Sequence, residues 1–178
     1  MNAGKLLTFG MAVLIVGPAL ASEQKNEWQE RFGRRIEARL SGYEENPTLS
    51  TTGRGTFKAF VTKDNEIVYE LTYSGLESDI TQSHIHFGRP AINGGIAAWL
   101  CGTEALPGPA NFPPPPCVVG REGTVKGVLT ADHVIGPAGQ GIAAGEFEEL
   151  LDAIRANATY ANVHTTGRAG GEIRGIIR

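Results

Sequence analysis

Glycine and proline punctuate this chain so often that long helices have no room to form. There are 24 glycines and 10 prolines among 178 residues, and both destabilise helix interiors. Between these breaks the apolar residues alternate with polar ones. The segments Gly55–Thr62 and Ile67–Tyr73 alternate clearly, with Lys63-Asp64-Asn65-Glu66 between them as a turn. That is the pattern of a hairpin with one buried face. Further strand-like segments are Glu37–Ser41, Gln82–Phe87, Gly95–Cys101, Gly123–Leu129, Thr159–His164 and Glu172–Ile177. Only 145–156 has a persuasive helical period, with Phe147, Leu150, Leu151 and Ile154 falling on one stripe. Glu146, Glu148 and Glu149 sit near its N-terminus, where the helix dipole favours them. About seven to nine short strands and one interior helix predict an all-β antiparallel β-sandwich of Greek-key type.

The N-terminus has a different character. Lys5 precedes an apolar run from Leu6 to Ala21, interrupted by Gly10, Gly17 and Pro18. Ala19-Leu20-Ala21 supplies small residues for cleavage before Ser22. About 16 apolar residues are roughly too few to span a bilayer. The run therefore reads as a signal peptide over 1–21, followed by a polar leader over 22–36 and a β domain over 37–178. Trp28 and Phe32, four apart, give the leader an amphipathic helical look. No cysteine stands at the cleavage point to carry a lipid, and no other segment reads as a membrane span. The expected location is secreted or periplasmic, with oligomeric state, a homo-oligomer included, left open. The balance of 16 basic and 19 acidic residues argues against a nucleic-acid partner.

Export changes the reading of Cys101 and Cys117, the only two cysteines. In an oxidising compartment they should form a disulfide. The bridge would close a loop rich in proline, including Pro107, Pro109 and Pro113–Pro116, and contribute about 3 kcal/mol through loop closure. A thiolate metal site is the competing reading, without CxxC spacing to support it.

Three similar openings, at Gly53-Arg54-Gly55, Gly120-Arg121-Glu122-Gly123 and Gly167-Arg168-Ala169-Gly170-Gly171, precede strands. They are expected to supply positive φ where strands begin or bulge.

The histidines carry the chemistry. In Ser83-His84-Ile85-His86-Phe87, strand geometry puts both imidazoles on one face, about 7 Å apart at the backbone. His164 would share a strand face with Tyr160 and Asn162, and completes a three-histidine metal site if its strand pairs beside the first. His133, in a turn after a strand, is a candidate fourth ligand or a solvent-facing side chain. Imidazoles without thiolate suit copper or zinc. A cupin-type site would need a glutamate soon after His86, and none follows. For a site with a carboxylate ligand, only Glu172 is a candidate, and it could equally pair with Arg174. There is no Gly-x-Ser-x-Gly elbow, P-loop or dinucleotide fingerprint.

Ser-His-Ile-His-Phe-Gly (83–88), Tyr-Ala-Asn-Val-His-Thr (160–165) and Gly-Gly-Glu-Ile-Arg-Gly (170–175) resemble the motifs of the CHRD domain, named after chordin. Arg39-Leu-Ser-Gly-Tyr-Glu-Glu-Asn-Pro47 is similar to that domain's opening, and the likeness covers 37–178. The 101–117 loop looks like an insertion particular to this chain. The resemblance implies a secreted β-sandwich. The histidine arrangement also resembles the copper half of Cu/Zn superoxide dismutase. By that likeness His84, His86 and His164 would hold copper, Arg174 or Arg168 would attract superoxide, and Tyr160 and Asn162 would fix the histidine tautomers, with Glu172 behind them. The chain departs from that pattern in having no obvious bridging histidine and no His-rich zinc loop, so a copper-only site is the form implied. A non-enzymatic module that binds a protein or handles copper, and a domain whose histidines are purely structural, are the other readings.

Overall fold

The computed structural model describes residues 33–178. The signal peptide read over 1–21 lies outside the described residues, as does the leader up to residue 32. The first strand opens inside the last residues of that leader. Eight strands follow: β1 (Arg34–Ser41), β2 (Arg54–Val61), β3 (Ile67–Ser74), β4 (Ile80–Phe87), β5 (Gly95–Gly102), β6 (Gly123–Leu129), β7 (Thr159–Thr165) and β8 (Arg168–Ile176). Among the described residues there is one α-helix, α1 (Phe147–Arg155).

The strands form one antiparallel sheet in the order β5-β4-β7-β8-β1-β2-β3-β6. Its edge strands β5 and β6 come into contact, so the sheet is nearly a barrel. The expectation of an all-β antiparallel domain with one short helix stands. The hydrogen bonds join all eight strands into one sheet, its two halves linked by the single pair Ser41–Arg174 of β1 and β8, and this topology does not confirm the expected Greek-key sandwich. Alternation only says that one face is buried, and it looks the same in both arrangements.

The inside of the roll is apolar. Phe57, Tyr69, Leu71, Ile85, Leu100, Val163 and Ile173 are all buried. The Tyr69 hydroxyl donates to the Leu100 carbonyl, so its one polar atom is satisfied and β3 is tied to β5 across the roll. Helix α1 presents Phe147, Leu150, Leu151 and Ile154 to the same buried cluster. At 9 residues it is too short to persist alone. Each of these side chains gains roughly 1.5–3 kcal/mol on burial, which is what holds the helix.

Cys101 and Cys117 are bonded, which removes the thiolate-ligand reading. The enclosed segment is pinned to the sheet as well. The Gly102 N–H donates to the Pro115 carbonyl, the Cys117 N–H to the Gly102 carbonyl, and the Thr103 hydroxyl to the Thr81 carbonyl.

The glycine-rich openings have two distinct causes. Gly120 (φ 128°) and Gly171 (φ 123°) adopt left-handed backbone as expected. Gly55 does not; a Cβ there would fall 2.8 Å from the Thr72 carbonyl oxygen of the neighbouring strand. That glycine is required by close approach rather than by φ.

Candidate metal centre

β7 is where the sheet becomes chemically unusual. It pairs with β4 so that His84 lies opposite Asn162, His86 opposite Tyr160 and Gln82 opposite His164. His164 is therefore the diagonal neighbour of His84, within side-chain reach on the same face. The i, i+2 spacing on β4 and this register bring His84, His86 and His164 together. Each offers a ligand nitrogen, and these lie within 4.8 Å of one another. The three rings are 1%, 8% and 6% exposed.

Two of the three rings are oriented by backbone carbonyls. His86 donates its Nδ1–H to Gly94 O at 2.9 Å, and His164 donates its Nδ1–H to Ala169 O at 2.9 Å. A carbonyl can only accept, so each Nε2 carries the lone pair. His84 lacks such an anchor. Its Nδ1 stands 3.2 Å from His164 Nε2. Two nitrogens held at about 2.0–2.1 Å from one ion lie about 3 Å apart, so this spacing fits a shared metal. His84 Nε2 and His86 Nε2 are buried without a hydrogen-bond partner among the described residues, which is costly unless something else satisfies them.

Burial holds all three rings neutral. It pulls His84 down to about 2, with His164 and His86 nearby adding to the effect. Burial also takes His86 down to about 4, against the opposing bond to Gly94. His164 is lowered by burial too, again against its carbonyl bond. Neutral imidazoles with free lone pairs are the form that binds a metal.

A second, polar layer lies behind His86. The Tyr160 ring stacks on His86 with centroids 4.9 Å apart and planes 4° from parallel. Its hydroxyl accepts the Gly94 N–H at 3.2 Å. On this ring sits the Arg174 guanidinium, with Cζ 4.7 Å from the centroid. Arg174 is buried. It donates to the carbonyls of Glu44 and Ile92 and to Asn93 Oδ1, and stands 3.7 Å from the Glu45 carboxylate. Burial pushes Glu45 up to about 7, although Arg174 and Asn162 pull the other way. Asn162 donates to Glu45 at 2.7 Å and to the Ile173 carbonyl at 3.0 Å, and to no histidine.

The other residues singled out in the sequence lie elsewhere. His133 is not brought to the cluster. Its Nδ1 accepts the Thr130 N–H at 3.1 Å and meets the Thr130 hydroxyl at 2.9 Å, closing the turn at Ala131–His133. Arg168 is on the surface, 3.5 Å from Glu77. Glu172 is fully buried but bonds Thr51, Thr165 and the Glu77 N–H, not Arg174 and not a histidine.

Three neighbours escaped sequence reasoning. Gly94 orients both His86 and Tyr160 through its backbone, which leaves no side-chain signal. Glu45 lies in the 39–47 segment whose likeness to a domain opening was visible, but not its role. Trp99 stands opposite His84 on β5, with its indole edge-on at 4.3 Å. Only the register of β4 against β5, which carries bulges on both sides of Ile85, places it there.

The CHRD domain family model matches residues 36–177. No curated protein and no solved structure matches the chain.

Proposed function

The chain belongs to the CHRD-domain family, and from that premise we propose that it is an exported copper-binding protein whose site acts on superoxide. The observation that carries the reading is the convergence of three neutral imidazoles, with His86 Nε2 buried and without a hydrogen-bond partner among the described residues. His84, His86 and His164 would hold the ion. A nitrogen-only donor set suits copper and also zinc. Export is supported by the disulfide and by the apolar N-terminal run. No helix among the described residues is long and apolar enough to cross a membrane.

Bound copper would supply a reversible one-electron couple, which oxidises one superoxide and reduces the next. The protein's own part is to keep the imidazoles neutral, to fix their tautomers through Gly94 and Ala169, and to restrict water around the ion. Arg174 places a positive charge one ring beyond His86 and favours an anion near the site.

A second reading is copper handling without turnover. It is favoured by Arg174, which turns Nε and Nη1 to Glu44, Ile92 and Asn93 and leaves only a buried Nη2 without a partner among the described residues.

Metal analysis of the mature protein, purified without a histidine tag and reconstituted with copper, tests the proposal, with EPR on the same sample. About one Cu(II) per chain with nitrogen hyperfine structure is expected. Zinc alone, or no stoichiometric metal, overturns the copper site. A superoxide assay on the copper-loaded protein then separates the two readings, because handling predicts bound copper with no turnover.

A further inference from the structure

The three histidines are not held alike. His86 and His164 are locked by carbonyls of their own sheet and loops. Among the described residues His84 has no backbone partner; its ring nitrogens meet only His164, at Nδ1, and nothing at Nε2. Its orientation therefore depends on packing. Among the aromatic rings around it, Trp99 has the nearest centroid; its indole meets the His84 ring edge-on, 4.3 Å between centroids and 79° between planes.

Trp99 is itself held from outside. Gly108, in the segment between the two cysteines, lies directly on the indole. A Cβ at this glycine would fall 3.0 Å from Trp99 Cε3 and 2.8 Å from Pro114 Cδ. Only a residue without a side chain lets the backbone come so close, and its φ of +79° favours glycine as well. The segment cannot drift away, because the Cys101–Cys117 bridge closes it two residues from Trp99 and Gly102 bonds its far end. A stiff proline-rich loop, a glycine and an indole thus form one continuous support ending on an otherwise unanchored imidazole.

We propose that Trp99, clamped by the disulfide-closed loop, is the positioning residue that sets which nitrogen His84 offers to the metal. The inference deepens the metal-site reading above and rests on it for its consequence, but its structural half can be tested without metal. In the metal-free protein at neutral pH, imidazole nitrogen NMR should show His84 in a single orientation and as a single tautomer. Trp99→Ala should give averaged His84 nitrogen shifts while His86 and His164 keep theirs. Trp99→Phe, which retains an aromatic edge, should restore the single form. Replacing both cysteines, Cys101→Ala with Cys117→Ala, should loosen His84 in the same selective way, and it carries the test if Trp99→Ala does not fold. A His84 tautomer unchanged in these variants overturns the proposal.

In the copper-loaded protein, Trp99→Ala should weaken copper binding about 10–100-fold, the range seen when a ligand loses its orienting partner. It should also shift the EPR parameters, with Trp99→Phe close to the parent. An unchanged affinity and spectrum count against the inference. If the parent protein binds no copper, the function proposed above fails, while the NMR measurement still decides the role of Trp99.

Discussion

One half of the rolled sheet, β1-β2-β3-β6, is built by simple alternation; the other, centred on β4-β7-β8, is not. β3 alternates buried and more exposed positions along its length, with its outward side chains in water. β7 is buried at all seven positions, so both its faces are covered. The cover comes from the segments 42–47 and 88–94, stitched together by Asn46, Asn93 and Arg174. Beneath them lie His84, His86, His164, Asn162, Glu45 and Arg174, all buried polar groups. Burying such groups is unfavourable unless each finds a partner. The plain half avoids that cost. The covered half meets it with a dense set of bonds and leaves a few atoms unmet among the described residues, and three of these, on His84, His86 and Arg174, lie at the candidate site.

The two halves should separate under mutation. Phe57→Ala, inside the plain half, should cost about 3–5 kcal/mol of stability by denaturant unfolding, the usual price of a large core deletion. It should leave metal content per folded molecule unchanged. His84→Ala combined with His164→Ala should do the reverse, abolishing bound metal while the β-rich circular dichroism spectrum persists. Metal retained in the double variant would break the comparison, because the covered half would then hold its ion elsewhere. The disulfide links the loop to the covered half only, so its removal should cost about 3 kcal/mol of stability and should also affect the metal site.

Acidity should sharpen the contrast. His84 and His86 titrate near 6.5 in the unfolded chain but are held at about 2 and about 4 in the folded one. Protons then bind the unfolded state preferentially, so metal-free stability should fall as pH drops below 6.5 and through about 4. Glu45 acts from the other side. Its folded value of about 7 lies above its ordinary 4.5, so its contribution is fully present below 4.5 and declines as pH rises through about 7. Unfolding curves across this range should show a maximum between the two limbs. Glu45→Gln should flatten the alkaline limb, and His86→Ala should shrink the acid one. A pH-independent parent would remove the argument that burial of titratable groups distinguishes this half.

The same contrast explains what could be read from residues alone. Strands β2, β3 and β6 and helix α1 were legible because one face is wet and the period shows. His84, His86 and His164 were legible as a set because i, i+2 spacing on one strand needs no tertiary knowledge. The strand order was not legible. β7 lies between β4 and β8, and β8 beside β1, and these neighbours are chosen by pairings distant in sequence. Glu45, Gly94 and Trp99 were missed for the same reason, since each reaches the site through a loop or a bulged register. His133 and Arg168 were of the right residue types but belong to a turn and to the wet surface.

The smallest effect belongs on the outer face of the plain half, and it is informative because it should be nearly nothing. Lys126 and Glu70 face each other across β6 and β3, with Nζ 3.1 Å from Oε2. Their side chains are 74% and 42% exposed, so water and salt screen the attraction and two long side chains must be held still to keep it. Lys126→Ala should change stability by no more than about 1 kcal/mol, by less at high salt, and should leave metal affinity untouched. Arg174 and Glu45 are 3.7 Å apart, farther than this surface pair, yet only 4% and 6% exposed. Arg174→Leu would strand a buried carboxylate and two carbonyls, so it should be the more damaging change by a wide margin, read in the same unfolding experiment. If the two variants proved equal, burial would not be what separates the two halves of the sheet.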